Sequence, residues 1–240
     1  MTKEMSKRQQ RREKIRRDAA RTRLITIGLI TVGAIFVAFV FIYPNIRPQA
    51  EVIMPEFTEY PAGEGLTLGD PNAPVKIEVF EDFQCPACQK FTQTIEPRIF
   101  TELVETGKAS YTFRHYPFID RNSVSKESHQ AAGAAMCANE QGKFWEYHEV
   151  LFANWNGENL GTFNDRRLIE FANALELDMN SFESCFNENR YQAEIETDFN
   201  EGNSQGVNGT PSVFVDGQIV NPGFVPSFEE IAAAVEAAQP

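Results

Sequence analysis

Histidine is scarce in this chain, and its distribution is uninformative for metal binding. The three histidines are His115, His129 and His148, and no two stand at H-x₃₋₅-H spacing. Zinc needs about four ligands, commonly two Cys pairs or a Cys pair with such a His pair. The sequence supplies neither, so no metal is expected, and each histidine reads as structural. His115 alternates with Tyr111 and Phe113 as in a strand, and the other two lie on amphipathic helical stretches. Internal repeats and low-complexity tracts are also missing, which excludes a solenoid.

Positive charge is concentrated in the first 23 residues, where ten of the 22 Lys or Arg stand against three acids, a net of +7. The whole chain is −12, which leaves −19 for residues 44–240. So acidic a segment is a poor partner for polyanions, and nucleic acid is not an expected ligand. Charge is absent altogether from Leu24 to Tyr43, "LITIGLITVGAIFVAFVFIY", 20 residues apolar on every face. A helix of that length rises about 30 Å, the thickness of a bilayer's hydrocarbon core. A buried core helix would keep a polar face. A cleaved signal peptide would have an apolar run of about 7–15 residues and an A-x-A-like site. This run is longer and ends in "FIYPNIRP", without a small-residue pair. We read residues 24–43 as an uncleaved anchor in the lipid bilayer, residues 1–23 as a cytoplasmic tail and the rest as extracytoplasmic, by the positive-inside rule. Residues 44–67 read as an extended linker, with four prolines between Pro44 and Pro61. Residues 68–240 suffice for one domain with a full core.

Cysteine is limited to four residues, Cys85, Cys88, Cys137 and Cys185. Outside the cytoplasm thiols are oxidised or redox-cycling, and four cysteines permit three pairings. Cys85 and Cys88 form a C-x-x-C, whereas Cys137 and Cys185 stand 48 positions apart. Before the C-x-x-C, "APVKIEVFEDF" alternates with Val75, Ile77 and Val79 on one face, as a strand does. After it, Phe91, Ile95, Ile99 and Leu103 recur every four residues up to Gly107, an amphipathic helix that Pro97 should kink. Pro86 falls at the first helical position, where proline is favoured, and this puts Cys85 at the N-cap. Unpaired N–H groups and the helix dipole stabilise an anion there, so the Cys85 thiolate is the expected nucleophile. Cys88, at i+3, faces the same side from beneath and can resolve a mixed disulfide. A static disulfide across so short a loop would stabilise little.

The strand, the C-P-A-C and the helix are followed by a long helical segment and then "GVNGTPSVFVDGQIV". This order resembles the DsbA-like branch of the thioredoxin superfamily, in particular its membrane-tethered members. Their motifs stand here at Asp82–Cys88, Gly142–His148 and Gly209–Gly217, and the resemblance covers about residues 68–238. It implies an α/β thioredoxin fold with a helical insertion at about 118–205, preceded by one transmembrane helix. It also implies a cis bond between Thr210 and Pro211 lying against the C-x-x-C, where Thr210 can pair with an extended peptide. Pro86 and Ala87 complete the expected substrate contacts. No cofactor is implied. The implied activity is oxidation of cysteines in exported proteins, with reoxidation by a membrane partner of the DsbB or vitamin K epoxide reductase type. A reductase or isomerase on the same fold, or a redox-silent chaperone, are the alternatives.

Two departures from the family stand out. Many relatives carry a buried acid six residues before the first cysteine, but that position is Val79, with Glu78 and Glu81 nearby. DsbA has a histidine between its cysteines and a thiol pKa of about 3.5. Pro-Ala lacks that charge, so Cys85 should be acidic but less extreme. Cys185 lies beside Phe182 and Phe186, and Cys137 ends an alanine run. Both read as buried positions of the insertion, joined in a structural disulfide. The +7 tail before an unbroken apolar run predicts that the protein stays with the membrane fraction through a carbonate wash. A soluble form beginning near residue 45 would overturn the anchor.

Overall fold

A computed structural model describes residues 7–46, 50–57 and 59–240. The chain divides into two compact units, one up to Ala50 and one from Glu51. In the first, helix α1 runs Lys7–Ile46. Within it, Gln10–Val40 is long and apolar enough to cross a membrane. Leu24, Leu29, Ile30 and Phe36 are exposed along this stretch. The hydroxyls of Thr26 and Thr31 donate to the carbonyls of Thr22 and Ile27, at 3.0 and 2.9 Å. Their polarity is thereby satisfied inside the helix, as an apolar solvent requires.

The second unit is built on a six-stranded sheet in the order β1-β2-β4-β3-β5-β6. Its strands are β1 (Gly63–Glu64), β2 (Thr67–Leu68), β3 (Val75–Glu81), β4 (Ala109–His115), β5 (Ser212–Val215) and β6 (Gln218–Ile219). Only β3 and β4 pair in parallel, with Ile77 opposite Tyr111 and Glu81 opposite His115. A parallel pair requires a crossover, and here it is α2 (Pro86–Thr94), α3 (Glu96–Ile99) and a π-helical turn at Phe100–Val104. The helix expected to run on to Gly107 is broken at Ile95, two residues before Pro97, because proline cannot donate into the preceding turn.

Between β4 and β5 lie a 3-10 turn at Ile119–Asn122 and five α-helices: α4 (Glu127–Asn139), α5 (Phe144–Ala153), α6 (Asp165–Ala174), α7 (Met179–Asn187) and α8 (Gln192–Ser204). The last helix, α9 (Phe228–Ala238), starts at a capping box in which Ser227 and Glu230 satisfy each other's backbone N–H. Val75, Ile77 and Val79 join the main core with Phe91, Phe113, Leu151 and Ile231. Phe80 projects from the opposite face and packs with Tyr116, Val207 and Phe214. Helix α8 closes on this second cluster at Gly202, where a Cβ would come within 2.9 Å of the Tyr116 ring. Both faces of β3 are thus covered, which explains why its last three residues, Val79 to Glu81, are all buried.

The stretch read as linker, 44–67, differs in two ways. The helix extends to Ile46, and the segment's end belongs to the folded unit, which begins at Glu51. Ile53 N–H donates to Asn154 Oδ1 at 2.9 Å, Tyr60 Oη donates to the Trp145 carbonyl at 3.1 Å, and β1–β2 extends the sheet. Proline-rich composition suggested an extended linker, but Val52 and Tyr60 pack against the main core.

Cys137 on α4 and Cys185 on α7 are bonded, with Cα atoms 5.8 Å apart. Closing a loop of that length restricts the unfolded chain by about 4 kcal/mol. Replacing both by alanine should therefore lower the melting temperature by roughly 10 °C. A double variant that melts with the parent would show that the bridge restrains nothing.

Candidate active site

Cys85 is the N-cap of α2, with extended backbone angles (φ −78°, ψ 122°) and Pro86 at the first helical position. Its N–H donates to the Asp82 carbonyl at 2.9 Å, and its carbonyl accepts from Gln89 N–H at 3.1 Å. Its Sγ lies 3.3 Å from the Thr210 carbonyl. The Thr210–Pro211 bond is cis, and two loops 125 positions apart meet at this sulfur. Cys85 and Cys88 are free thiols. Cys85 is 7% exposed and Cys88 is fully buried. Pro86 is exposed and Ala87 half-buried beside them.

The two thiols titrate in opposite directions. Hydrogen bonding from Cys88 is the main influence on Cys85. Burial opposes it, while Thr210 and the N–H groups of Cys88 and Ala87 reinforce it. The pKa falls from 9.0 to about 6. Burial pushes Cys88 well above the ordinary thiol range, and its bond to Cys85 and the charge of Glu81 push it further. A thiolate is the nucleophile in disulfide exchange, so this pair holds one ready nucleophile and one protonated partner behind it.

The loop before Cys85 is pinned by residues to which the sequence assigned no role. Asp82 accepts from Gln84 N–H at 2.8 Å and from Ile119 N–H at 2.9 Å. Burial nonetheless raises its pKa to about 7. The Gln84 amide donates to Ser128 Oγ at 2.9 Å and accepts from Asn159 N–H at 2.6 Å. The Gln84 carbonyl accepts from the Trp155 indole at 2.6 Å. These bonds tie the strand–helix turn to the helical insertion. Asp82 and Gln84 stand inside the motif at Asp82–Cys88, so proximity to Cys85 was their one visible signal.

Beneath Cys88 lies a polar group inside the apolar core. Glu81, 1% exposed, shares its face of β3 with Val79, whereas Glu78 is half-exposed and paired with Arg114 at 3.7 Å. Glu81, Glu96 and His148 each place a donor atom within 4.8 Å of the others. Both nitrogens of His148 lack a hydrogen bond, and burial, then His115, lower its pKa to about 3. These three residues are the candidates for holding a cation among the described residues. His129 instead bonds Asp120 Oδ2 at 2.7 Å, and His115 is buried in the aromatic core beside Phe83 and Phe113.

Two cavities lie near the C-x-x-C and the Thr210–Pro211 loop, sharing Val225. One of about 90 Å³ is lined by Thr210, Pro211, Phe224 and Val225. The other, of about 340 Å³, is lined by Ala87, Lys90, Phe91, Val225 and Glu230. Phe224 is 75% exposed between the loop and solvent.

A thioredoxin family model matches residues 62–237. The chain belongs to the thioredoxin family, and within it is a DsbA-like thiol-disulfide oxidoreductase. It is similar to the probable disulfide bond formation protein D of Bacillus anthracis, 28% identical over 160 residues, 66% of this chain and 72% of that protein. The fold matches that of oxidised BdbD from Bacillus subtilis, with a TM-score of 0.64 at 20% identity over 75% of this chain and 98% of that one. It also matches DsbA of Chlamydia trachomatis, with a TM-score of 0.59 at 24% identity over 80% and 96% of the two chains.

The lowered pKa of Cys85 has a definite pH consequence. A folded-state pKa below the unfolded value stabilises the folded dithiol form. That stabilisation is complete above the unfolded thiol value, near 9.0, and is lost as pH falls through about 6. Iodoacetamide should label Cys85 with a midpoint near pH 6 and leave Cys88 unlabelled across the neutral range. Peptide mapping that finds Cys88 labelled first would reverse the two roles.

Proposed function

We propose that this protein is a membrane-anchored, extracytoplasmic enzyme that introduces disulfides into exported proteins. The observation that carries the reading is the placement of Cys85 at a helix start, over a buried Cys88 and against the Thr210 carbonyl. A substrate thiolate attacks Cys85 Sγ of the Cys85–Cys88 disulfide, and Cys88 leaves. The substrate's second thiolate then attacks the mixed disulfide and releases Cys85 as a thiolate. The enzyme ends as a dithiol and the substrate as a disulfide. Stabilising the Cys85 thiolate stabilises the reduced enzyme and so makes its disulfide an oxidant.

Thr210 and Pro211 form the proposed peptide platform, with Pro86 and Ala87, the smaller cavity at the loop itself and the larger one beside Ala87. An extended peptide can pair with backbone at such an edge while side chains enter pockets on either side. Cys137 and Cys185 lie in the insertion, buried on α4 and α7, and we assign them to stability. Residues 1–23 would remain cytoplasmic and 24–43 would lie in the bilayer. The domain proposed as 68–240 on sequence grounds is redrawn to start near residue 51. A membrane protein of the DsbB or vitamin K epoxide reductase type would accept the electrons. The reductase, isomerase and chaperone readings use the same surface, but the acidic Cys85 favours the oxidant.

Oxidised protein should convert a reduced two-cysteine peptide to its disulfide stoichiometrically, and the C85A/C88A variant should not. A reduction potential more negative than that of glutathione, with rapid insulin reduction, would instead establish a reductase.

A further inference from the structure

The end of α5 touches the chain on both sides of Cys85. Before it, the Trp155 indole N–H donates to the Gln84 carbonyl at 2.6 Å. After it, the Gln89 side-chain amide on α2 donates to the Phe152 carbonyl at 2.7 Å. The last carbonyls of a helix lack partners in their own ladder, so the Phe152 oxygen can accept from a side chain outside. Between these two contacts lie Cys85 at the N-cap and Cys88 in the first turn.

The end of α5 is itself held from the segment before the sheet. Asn154 caps α5 and is buried. Its amide oxygen accepts from Ile53 N–H at 2.9 Å and from the Arg167 guanidinium at 3.0 Å. Its amide nitrogen donates to the carbonyls of Ile53 and Val150, both at 2.8 Å. One side chain thus pairs both backbone groups of Ile53, as a neighbouring strand would, across 101 positions of sequence. Arg167, also buried, donates to the Glu51 carbonyl at 3.0 Å, and Val52 packs against the main core. Residues 51–53 form a strap over the end of α5. An amide has two donor hydrogens and an oxygen with two lone pairs, so without the strap Asn154 keeps two of its four partners. A buried amide left half-paired is disfavoured where it stands.

We propose that the strap and the end of α5 act as one bracket that sets where Cys85 stands, with Asn154 and Trp155 as positioning residues acting through the Gln84 carbonyl. This rests on the reading of Cys85 as the attacked sulfur. The Gln84 carbonyl belongs to the peptide bond that joins Gln84 to Cys85. That bond is planar, so a rotation of the carbonyl is passed to the Cys85 N–H, which bonds the Asp82 carbonyl. The Cys85 thiolate is held by Cys88, then by Thr210 and the N–H groups of Cys88 and Ala87. Hydrogen bonds weaken steeply as distance and angle leave their favoured values, and Thr210 approaches from a separate loop. A turn released from the bracket therefore holds the thiolate less well. The Gln84 side chain is tied separately to Ser128 and Asn159, so the loss is partial and the turn itself persists.

The test is iodoacetamide labelling of Cys85 against pH in the full-length dithiol form, with thermal melting beside it. Ile53→Pro removes the strap's N–H at an exposed residue and leaves every interior side chain in place. Trp155→Phe removes the indole N–H and keeps an aromatic ring. Each should raise the labelling midpoint by about half a unit, roughly a threefold loss of labelling rate at pH 5. Both act through one carbonyl, so the double variant should shift no further than the larger single shift, whereas independent sites add. A midpoint unchanged in either single variant, whatever its melting temperature, or shifts that add, would overturn the bracket and leave the functional reading standing. An Ile53→Pro chain without a cooperative melt would make the strap a part of the fold's stability and overturn the bracket equally. A parent protein whose Cys88 labels first would overturn the reading of Cys85, and the bracket with it.

Discussion

The active end of this protein depends on the junction where β3 stops and α2 starts. Strand geometry brings the chain out at the end of the sheet beside β4 and β5, and the first turn of a helix leaves N–H groups without partners. Cys85 occupies that turn and Cys88 the next position on the same side. From this one constraint follow the lowered pKa of the outer thiol and the burial of the inner one. The Thr210 carbonyl completes the arrangement from β5's side, so that the sulfur is held between two segments that the sheet brings side by side.

The helical insertion is more than a cap on this core. Gln84, Trp155, Asn159, Ser128 and Asp120 make a continuous set of hydrogen bonds from the loop before Cys85 into the insertion. The turn that carries the nucleophile is therefore braced from outside the sheet. The Cys137–Cys185 bridge joins α4 to α7 within the same insertion. α4 carries Ala131, Ala132, Ala134, Ala135 and Ala138 buried, and small side chains allow neighbouring helices to approach closely. Below the C-x-x-C the core departs from apolar packing at Glu81, Glu96 and Tyr111, a polar group set among Phe100, Trp145 and Phe113. Buried polar groups of this kind are costly, and this one is confined to the layer under the reactive sulfurs.

Local pattern made much of this molecule readable. Alternation at Val75, Ile77 and Val79 marks β3, Pro86 marks the helix start, Ser227 and Glu230 mark the last cap, and an uncharged run marks the apolar helix. Each signal is contained in a few neighbouring residues, where propensity and periodicity act directly. The same reasoning misjudged the end of the linker, because Ile53 and Tyr60 are held by Asn154 and Trp145, 101 and 85 positions away. It also gave Asp82 and Gln84 no work, since their partners lie 36 to 75 positions further on.

What the amino-acid order determined alone is the placement of two thiols at a strand-to-helix turn behind an apolar, positively flanked helix, because helix starts and hydrophobic runs are local properties of the chain. What only the tertiary structure decided is which groups surround those thiols. Period-2 alternation put Glu81 on the face of Val79, but nothing near Glu96 in sequence shows that it meets Glu81. That meeting depends on the parallel register of β3 with β4, which sets Tyr111 beneath the pair, and on the break at Ile95, which swings Glu96 inward. Contacts between segments 15 to 67 positions apart are chosen by packing, and packing is a property of the whole fold.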